Sequence, residues 1–513
     1  MPPYKKRMAR PKTAGPSQGD TIALIARAGF ANPFSEEFAI MCRQIAGREI
    51  TNEAELRAMM RETVDRVVGG LESSGQAHLA AHQGERRAEL RMVFLFQAYQ
   101  QFHGALDQLV LDQVALGDAP APVPFAREVL ALLARRGFEE EEARRCFAIF
   151  FQIRRAHHFI GHGLLGRSPC MGEFRRHLWQ NVFTHDIRSY ERRLWDRMED
   201  FSTLLFGETG TGKGAAAAAI GRSSFIPFDE RKQVFVESFT RNFVALNLSQ
   251  YPETLIESEL FGHRKGAFTG AVESHQGVFA RGSTHGAIFL DEIGDVSMPV
   301  QIKLLQVLED RWYSPVGSHE RARFSGRVIA ATHRPLAELR QRGVFRDDFY
   351  YRLCSDTITV PPLRQRLREE PGELAELVGH LLHRMTGEVA EHGTSGRGEP
   401  GEAAAELAAP VTEALRQSPG HDYAWPGNVR ELEQAVRRVL ITRRYEGDRP
   451  HPTPDPCREL IRAMESGTLD ADRLLSGYCA LLYDRCGNLE AVARQTNLDR
   501  RTVKKYVHQR RGH

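Results

Sequence analysis

The stretch that decides the fold is TLLFGETGTGKG, residues 203–214. Its first four residues are the short apolar run of a buried strand, and the alanine-rich segment 215–220 that follows is typical of a helix. Glycines in the intervening loop let backbone N–H groups turn toward a phosphate, and Lys213 can reach the β- and γ-phosphates. A strand, a glycine-rich loop and a helix in this order predict a phosphate-binding loop within an α/β domain.

A second apolar run, AIFL at residues 287–290, ends in Asp291 and Glu292. A carboxylate at such a strand end can hold Mg2+ through water, while its neighbour polarises the attacking water molecule. Taken alone, the two acidic residues could equally make caps or salt bridges. Because a phosphate loop precedes them, the sequence favours a site for ATP and Mg2+.

The composition is that of a globular protein without a membrane span. The chain has 513 residues, of which 42% are hydrophobic and 26% are charged, and this length predicts roughly two to four domains. No apolar run reaches about 18 residues, so we expect no membrane partner. Seven cysteines without a CxxC pair argue against zinc and a disulfide framework, and they favour a reducing cytoplasm. The net charge of +3 is too small to predict nucleic-acid binding, so only a local concentration of positive charge can indicate it.

Cationic side chains are concentrated near the C-terminal end of the sequence. Helical segments at 474–486, 487–494 and 500–509 have the spacing of a helix-turn-helix, and the last is rich in cationic side chains. From residue 487 to the end, seven lysines and arginines oppose two acidic residues, which supplies attraction for DNA phosphates. The other interpretation is a helical protein-contact domain with a basic tail. The candidate DNA contacts are Arg500, Arg501, Thr502, Lys504 and Lys505.

These stretches, in this order, resemble the AAA+ domain of bacterial enhancer-binding proteins, which activate sigma-54 RNA polymerase. The resemblance covers residues 161–442, and the C-terminal unit is similar to the Fis-like helix-turn-helix of the same family. Its most specific part is GAFTGA, the sigma-54-contacting loop of that family, which AAA+ proteins that do other work lack. The matching motifs are GETGTGKG (207–214), LNLSQYPETLIESELFGHRKGAFTGA (246–271), AIFLDEIGD (287–295), IAATHRPL (329–336), GVFRDDFYYRL (343–353), PPLRQR (361–366) and WPGNVREL (425–432).

The resemblance implies a role for each matching residue of the nucleotide site. Lys213 would bind phosphate, Asp291 would bind Mg2+ and Glu292 would activate water. Asn247 matches the asparagine that holds the catalytic glutamate back and links the nucleotide state to the GAFTGA loop. The residues expected to contact the nucleotide are Gly207, Glu208, Thr209, Gly210, Thr211, Gly212, Lys213, Gly214, Thr332, His333 and Arg430.

The resemblance also implies residues that act on other molecules. Arg346 and Arg352 match the arginines that reach the nucleotide of a neighbouring subunit, and Arg352 is the better candidate for the finger. Without the resemblance, two arginines on a helix are usually solvated or salt-bridged. The sigma-54 loop consists of Gly266, Ala267, Phe268, Thr269, Gly270 and Ala271, with Phe268 and Thr269 as the expected direct contacts.

The fold class that follows is multidomain. It combines an α-helical N-terminal domain, an α/β AAA+ P-loop core with a small helical lid, and a C-terminal helix-turn-helix. The N-terminal helices match no sensory module, and their regulatory role is expected from position and family habit only. The predicted segments are a disordered basic arm (1–20), the helical N-terminal domain (21–160), the α/β ATPase subdomain (161–366), the helical lid (367–445), a linker (446–468) and the helix-turn-helix domain (469–513).

The function implied by the resemblance is that of an ATP-driven transcription activator in the cytoplasm. C-terminal dimers would hold double-stranded DNA at an upstream site. The AAA+ domains would assemble into a ring, expected to be a hexamer, because a trans-acting arginine needs a neighbour. ATP hydrolysis would move the GAFTGA loop against the sigma-54 RNA polymerase holoenzyme and remodel the closed promoter complex.

Departures from the family pattern keep rival functions open. Gly214 stands where the generic phosphate loop has Ser or Thr and this family commonly Glu, and His333 stands where the family often has Asn. They keep open the alternative of a nucleotide-binding, DNA-bound scaffold or repressor with weak or no ATP turnover. An ATPase that remodels some other protein is a second rival, against which the intact GAFTGA argues. In addition, the path from residues 166–171 to the phosphate loop, with Trp179 and Trp195, is longer than usual, and GTSGRGEPG (393–401) lengthens the lid.

Overall fold

The computed structural model describes residues 18–47, 53–386, 402–420, 423–447, 456–467 and 469–511. The chain packs as two compact units, residues 1–445 and 446–513, and each is described by itself. The predicted basic arm lies outside the described residues except for its end, where the first helix already begins at Gln18. The GTSGRGEPG insertion lies outside them as well, and so do residues 448–455 and 468 of the predicted linker.

The N-terminal part of the first unit is helical. Two of its longer helices, which contain Phe94 and Phe147, are buried on all faces along these aromatic stretches. Short helical turns occur at Leu79–Ala81, His157–His162, Tyr190–Leu194 and Met198–Asp200. The helices are α1 Gln18–Ala28, α2 Glu36–Ala46, α3 Glu53–Ser73, α4 Gly84–Gln101, α5 His103–Leu116, α6 Ala126–Arg135, α7 Glu140–Ala156, α8 Pro169–Phe183 and α9 Ile187–Ser189.

A five-stranded parallel sheet forms the centre of the first unit. The strands are β1 Thr203–Phe206, β2 Phe228–Asp229, β3 Val234–Phe235, β4 Phe243–Asn247, β5 Ala287–Asp291, β6 Trp312–Tyr313, β7 Ala322–Arg323, β8 Arg327–Thr332 and β9 Asp356–Thr359. The sheet order is β4-β5-β8-β1-β9, while β2–β3 and β6–β7 are separate antiparallel hairpins. Helices cover both faces, so β5 and β8 at the centre are buried along nearly their whole length.

Two groups of helices complete the first unit. Around the sheet lie α10 Lys213–Gly221, α11 Glu253–Phe261, α12 Val278–Arg281, α13 Met298–Asp310, α14 Leu336–Gln341 and α15 Asp347–Leu353. The lid that follows consists of α16 Leu363–Glu369, α17 Glu373–Thr386, α18 Glu402–Gln417 and α19 Asn428–Thr442. The lid has its own apolar core, in which Trp425 and Tyr445 stack with ring centroids 6.1 Å apart. It is therefore a small helical subdomain next to the sheet.

The N-terminal helices and the α/β core share one hydrophobic cluster. Phe147 of α7 packs edge-on against Phe228, and Phe151 stacks on Phe235 at 4.2 Å, so the hairpin β2–β3 is clamped by α7. Arg155 of α7 is fully buried and donates to the carbonyls of Arg222 and Ser224 just beyond α10. Burial lowers the pKa of Arg155 to about 9. Packing thus continues across the boundary predicted at residues 160/161, which stays a prediction.

The segment whose path the sequence left open is ordered by aromatic contacts. It forms α8, α9 and two short turns before β1. Trp179 is buried against Phe183, with ring centroids 4.7 Å apart. Trp195 packs on Phe225 at 4.6 Å, which ties the extra length to the end of α10. The additional residues therefore build part of the contact between the N-terminal helices and the sheet.

A buried ion pair joins the start of α8 to the lid. The Glu373 carboxylate is fully buried and accepts hydrogen bonds from the Arg366 guanidinium and from the backbone N–H groups of Arg167 and Ser168, the latter two at 2.9 Å. A buried charge requires this degree of compensation, because its desolvation costs several kcal/mol.

Replacing Glu373 by Gln should lower the free energy of unfolding of the first unit by about 2–3 kcal/mol. The amide is nearly isosteric, but it leaves the buried Arg366 guanidinium without a counter-charge. Calorimetric or urea unfolding of the full chain measures the effect. Glu376→Gln is the matched control, since its carboxylate pairs with the exposed Arg167 at 3.3 Å and should matter little. Equal unfolding curves for the two variants would contradict the prediction.

The second unit is a compact helical domain. Its helices are α20 Pro456–Glu465, α21 Ala471–Cys486, α22 Leu489–Thr496 and α23 Arg500–Arg511. Val492 of α22 and Val503 and Val507 of α23 pack against Cys479 and Leu482 of α21. The predicted fold class is confirmed: a helical N-terminal region, a parallel-sheet α/β core and a helical C-terminal region. In the described part of the chain, no helix combines the length and apolarity that crossing a membrane requires.

Candidate active site

The phosphate loop joins β1 to α10 at the carboxyl edge of the sheet. Gly210 and Gly212 have φ of +79° and +103°, a region that residues with a side chain rarely adopt. A Cβ on Gly210 would also lie 2.2 Å from the Gly427 carbonyl oxygen. The Thr211 hydroxyl donates to Glu208 O at 2.8 Å and closes the turn. The loop therefore leads directly into the N-terminus of α10, where an anion is favoured.

The Lys213 side chain is held inside this loop. Its ammonium group donates to the carbonyl oxygens of Gly207 at 2.9 Å and Glu208 at 3.2 Å, and the residue is only 7% exposed. Burial lowers its pKa, while Glu292 and Asp291 act in the opposite direction. The hydrogen-bond partners of this buried ammonium group are uncharged carbonyl oxygens. A bound phosphate would stabilise the ammonium group by supplying a negative charge.

The two acidic residues lie at the end of β5, beside the phosphate loop. Burial and the neighbouring Glu292 raise the pKa of Asp291. No described residue forms an ion pair with Asp291, so a cation such as Mg2+ fits beside this carboxylate. Glu292 has φ of +57°, and its Oε2 lies 2.8 Å from Nδ1 of His333. His333 follows β8, the neighbouring strand, so the parallel register brings the two side chains together.

Asn247 is placed next to this pair but has another partner. It lies opposite Asp291 in the β4–β5 register. Its Oδ1 accepts hydrogen bonds from the backbone N–H of Ser249 at 3.0 Å and from the Ser249 hydroxyl at 2.8 Å. In this structure the side chain that contacts Glu292 is His333. The holding role of Asn247 stays a prediction, and its register position is compatible with it.

Thr332 and Arg430 approach the phosphate loop from two sides. Thr332 is fully buried at the end of β8, where its carbonyl accepts from Gly207 N at 3.3 Å and its hydroxyl from Arg334 N at 3.0 Å. Arg430 is exposed at the start of α19, and a Cβ on Gly210 would lie 3.0 Å from its Cβ. Thr332 therefore anchors the phosphate loop to the end of β8, and Arg430 places a cationic side chain of the lid beside the same loop.

Lid residues that the sequence analysis did not single out also hold the phosphate loop. Arg364 makes a bidentate ion pair with Glu208, with N–O distances of 2.7 and 2.5 Å. The Asn428 amide, completely buried, donates to Glu208 Oε2 at 3.2 Å and Thr209 O at 3.1 Å. Both lie within quoted motifs, PPLRQR and WPGNVREL, so the signal was present. Without the tertiary structure, nothing indicated that these motifs meet at Glu208.

The two candidate finger arginines differ in their partners. Arg346 is held by Asp348 in a bidentate ion pair, with N–O distances of 2.9 and 2.6 Å. Arg352 on α15 donates from Nε and Nη2 to the carbonyl oxygen of Leu308, at 2.9 and 2.7 Å. No carboxylate of the described chain pairs with Arg352. Its charge therefore remains available to an anion outside the subunit, whereas that of Arg346 is compensated.

The GAFTGA loop projects from a short two-stranded base. His263 and His275 exchange backbone hydrogen bonds at 3.0 and 2.9 Å, and Gly266 and Gly270 adopt φ of +81° and +102° to close the tip. Phe268 is 36% exposed and packs edge-on against His263, with centroids 4.9 Å apart. Thr269 is exposed and Ala271 is buried. An aromatic and a hydroxyl are thus presented at a glycine-flanked tip.

The cationic face of the C-terminal unit lies on α23. Asp499 caps this helix by accepting from the backbone N–H groups of Arg501 and Thr502 at 2.8 and 3.0 Å. Arg501, Lys504 and Lys505 are exposed and make no ion pair within the described chain. Arg500 is exposed but pairs with Glu490 at 3.2 Å. The arrangement presents unpaired cations along one helix.

Comparison with known proteins adds a family relation. The model of the Sigma-54 interaction domain matches residues 185–359. The DNA-binding transcriptional regulator NtrC of Azospirillum brasilense is 38% identical over 278 residues, 54% of this chain and 47% of NtrC. The chain thus spans about half the length of that relative.

A longer match is found with another regulator. The C4-dicarboxylate transport transcriptional regulatory protein DctD of Rhizobium meliloti is 34% identical over 382 residues, 74% of this chain and 71% of DctD. Among solved structures, NtrX from Brucella abortus matches with a TM-score of 0.40 and 19% identity, covering 75% of this chain and 79% of that chain. The sequence relation extends well beyond the matched domain.

Proposed function

This chain belongs to the bacterial enhancer-binding proteins, the sigma-54-dependent transcription activators, and from that premise we propose that it is an ATP-driven activator acting on sigma-54 RNA polymerase. ATP with Mg2+ would bind at the carboxyl edge of the sheet, in a ring of subunits. The GAFTGA loop would transmit hydrolysis to sigma-54, and α23 would hold the complex on upstream DNA. A cytoplasmic location follows from this role.

One observation carries the proposal: the phosphate loop, the acidic pair and the base of the GAFTGA loop adjoin the same part of the sheet. Strand β4 pairs with β5, and the chain runs from β4 through α11 directly into the GAFTGA loop. Glu292 at the end of β5 is therefore one strand away from the element that leads to Phe268. A structural change at the γ-phosphate would therefore be transmitted to the tip of the GAFTGA loop through β5, β4 and α11.

The residues of the site have separate chemical tasks. The phosphate loop and Lys213 would bind and orient the phosphates, and Asp291 would hold Mg2+, which offsets phosphate charge when bound. Glu292 would take the proton of the attacking water molecule. The contact with His333 sets the position of the Glu292 carboxylate before the reaction. Arg352 would stabilise the charge that develops on the nucleotide of the adjacent subunit. Arg430, in the lid, would contact the bound phosphates.

The proposal is tested by ATP hydrolysis of the full chain as a function of its concentration. We expect the rate per subunit to rise as the ring assembles. Sigma-54 should bind only in a transition-state-like nucleotide complex, and Phe268→Ala should abolish that binding while hydrolysis continues. If no assembly condition gives hydrolysis, the nucleotide-bound scaffold or repressor replaces the motor. If hydrolysis occurs but sigma-54 never binds, the ATPase acts on another protein.

DNA binding by α23 gives a further expected result. Arg501→Ala and Lys505→Ala should each weaken DNA binding several-fold and lower the slope of log affinity against log salt by about 1, because each removes one phosphate contact. Fluorescence anisotropy across a salt series measures both quantities. Arg485→Ala on α21 removes an exposed cation from the same unit and should change neither. Equal losses in all three variants would indicate a general charge effect and reject α23 as the recognition helix.

A further inference from the structure

A pocket of about 300 Å3 opens at the amino-terminal edge of the parallel sheet, opposite the edge that carries the candidate active site. It is lined by α7, by residues 182–199 and by the loops that lead into β5 and β8. None of the residues proposed to contact nucleotide, sigma-54 or DNA lines it. Much of its wall is the segment whose extra length distinguishes this chain from the family pattern.

The floor of the pocket is preformed. Gln152 is 1% exposed and donates to the Tyr190 hydroxyl at 2.8 Å and to Ser223 O at 2.9 Å. The buried Arg327 guanidinium donates to Phe201 O, to both oxygens of Asn181 and to the Thr203 hydroxyl. Because protein acceptors satisfy these groups, the pocket does not depend on bound water to hold its shape.

One wall of the pocket is apolar. Trp195 and Phe225 pack with ring centroids 4.6 Å apart, and Ile220, Val182 and Met198 extend the same surface. A volume of about 300 Å3 is at the lower end of the range for ligand pockets, about 300–1,000 Å3. The occupant that fits is a small molecule with an apolar body, because a nucleotide would need more space.

The mouth of the pocket carries charges of both signs. Asp196 and Glu199, in and next to the short helical turn Met198–Asp200, line it, and so does Arg323 of β7. In the part of the chain that the structure describes, none of these three groups forms an ion pair. Burial raises the pKa of Glu199, which nearby Arg311 and Arg323 oppose. A ligand that brings both an ammonium group and a carboxylate would satisfy both sides of the mouth.

Three elements lead from this pocket to the nucleotide site. Helix α10 begins at Lys213 in the phosphate loop and ends at Gly221, and Ile220 and Ser223 at this end line the pocket. Strands β5 and β8 start at the pocket and end at the acidic pair and at Thr332 and His333, roughly 15–20 Å away. These elements are rigid and buried, so a ligand that moves their near ends also shifts their far ends.

We propose that this pocket binds a free α-amino acid with an apolar side chain and that its occupancy changes ATP turnover. The ammonium group would pair with Glu199 and Asp196, and the carboxylate with Arg323. The side chain would pack on Trp195 and Phe225. The coupling to turnover rests on the proposed ATPase function, whereas the binding does not.

The experiment measures binding without ATP. The melting temperature of the full chain is recorded with each of the twenty amino acids at millimolar concentration, and titration calorimetry gives the Kd of those that raise it. At least one apolar amino acid should bind with one site per chain. Glu199→Gln and Arg323→Gln should each weaken binding about tenfold or more, and Ser224→Phe, which fills the pocket, should abolish it. Glu128→Gln, an exposed change on α6, should leave the Kd unchanged.

Three outcomes would overturn the assignment of the pocket. They are no binding by any of the twenty amino acids, unchanged binding in Glu199→Gln and Ser224→Phe, or phenethylamine or 3-phenylpropionate binding as tightly as phenylalanine. The last would mean that one of the two charges is not recognised. Saturating ligand that binds but leaves ATP turnover unaltered would overturn the coupling alone. If the chain hydrolyses no ATP, the binding measurement still decides whether the pocket is a ligand site.

Discussion

Replacing Glu292 by Gln should lower ATP turnover of the assembled chain by roughly 10²–10⁴-fold while ATP binding is retained. The amide has the shape of the carboxylate and can keep the contact with His333, 2.8 Å away. It cannot accept the proton of the attacking water molecule. The phosphate loop and Lys213 are untouched, so nucleotide affinity should stay within a few-fold of the original. Steady-state hydrolysis and the Kd of a fluorescent ATP analogue measure the two quantities.

A matched control separates this effect from a change in net charge. Glu338→Gln removes one carboxylate from α14, where its contact with Arg342 is 4.0 Å long and exposed. Its turnover should equal that of the unaltered chain. If Glu292→Gln kept more than a tenth of the original turnover, Glu292 would not be the base. The acidic pair would then serve metal binding or structure.

Replacing Arg352 by Ala should reduce turnover about 10³-fold, because a trans-acting arginine stabilises charge on the transferred phosphoryl group. Among the described residues, the Leu308 carbonyl is the hydrogen-bond partner of Arg352 and no carboxylate pairs with it, so its charge remains available to a neighbouring nucleotide. Arg346→Ala should cost less, since Asp348 already compensates that guanidinium. Arg342→Ala on the exposed surface serves as the control and should leave turnover unchanged.

Mixing two inactive variants tests whether Arg352 acts between subunits. In a mixed ring, an Arg352→Ala subunit keeps its Glu292, and a neighbouring Glu292→Gln subunit supplies the missing arginine. Equal mixing should restore activity at roughly a quarter of the sites. Failure of the mixture to recover any activity, although it assembles, would place Arg352 in its own subunit's structure. Recovery would show a shared site and support the ring.

Much of the active site could be predicted because its signals are local. The phosphate loop depends on glycines at fixed positions between a strand and a helix, and the acidic pair depends on its place at the end of an apolar run. Parallel strands bring their carboxyl ends to one edge, so Asp291 and the phosphate loop were expected on the same edge of the sheet. The GAFTGA loop and the C-terminal helices were likewise recognisable from short motifs and apolar spacing, while the DNA-binding role of these helices stays a prediction.

The sequence did not indicate which side chains contact one another in the tertiary structure. Glu292 contacts His333, and Glu208 contacts Arg364 and Asn428, because the strand order and the lid position bring together residues far apart in sequence. No local pattern encodes such a pairing. The same reason hid the clamp of α7 on the hairpin β2–β3, which links the N-terminal helices to the sheet.

By itself the sequence indicated the strands at 203–206 and 287–290 and the helix after the phosphate loop, since backbone preferences and apolar spacing act over a few residues. It also determined the family, because the motifs stand in one order along the chain. Only the tertiary structure decided that residues 182–199 form a pocket wall instead of a simple connection. A pocket exists only where separate elements fail to fill the space between them, and that space depends on how all of them pack at once.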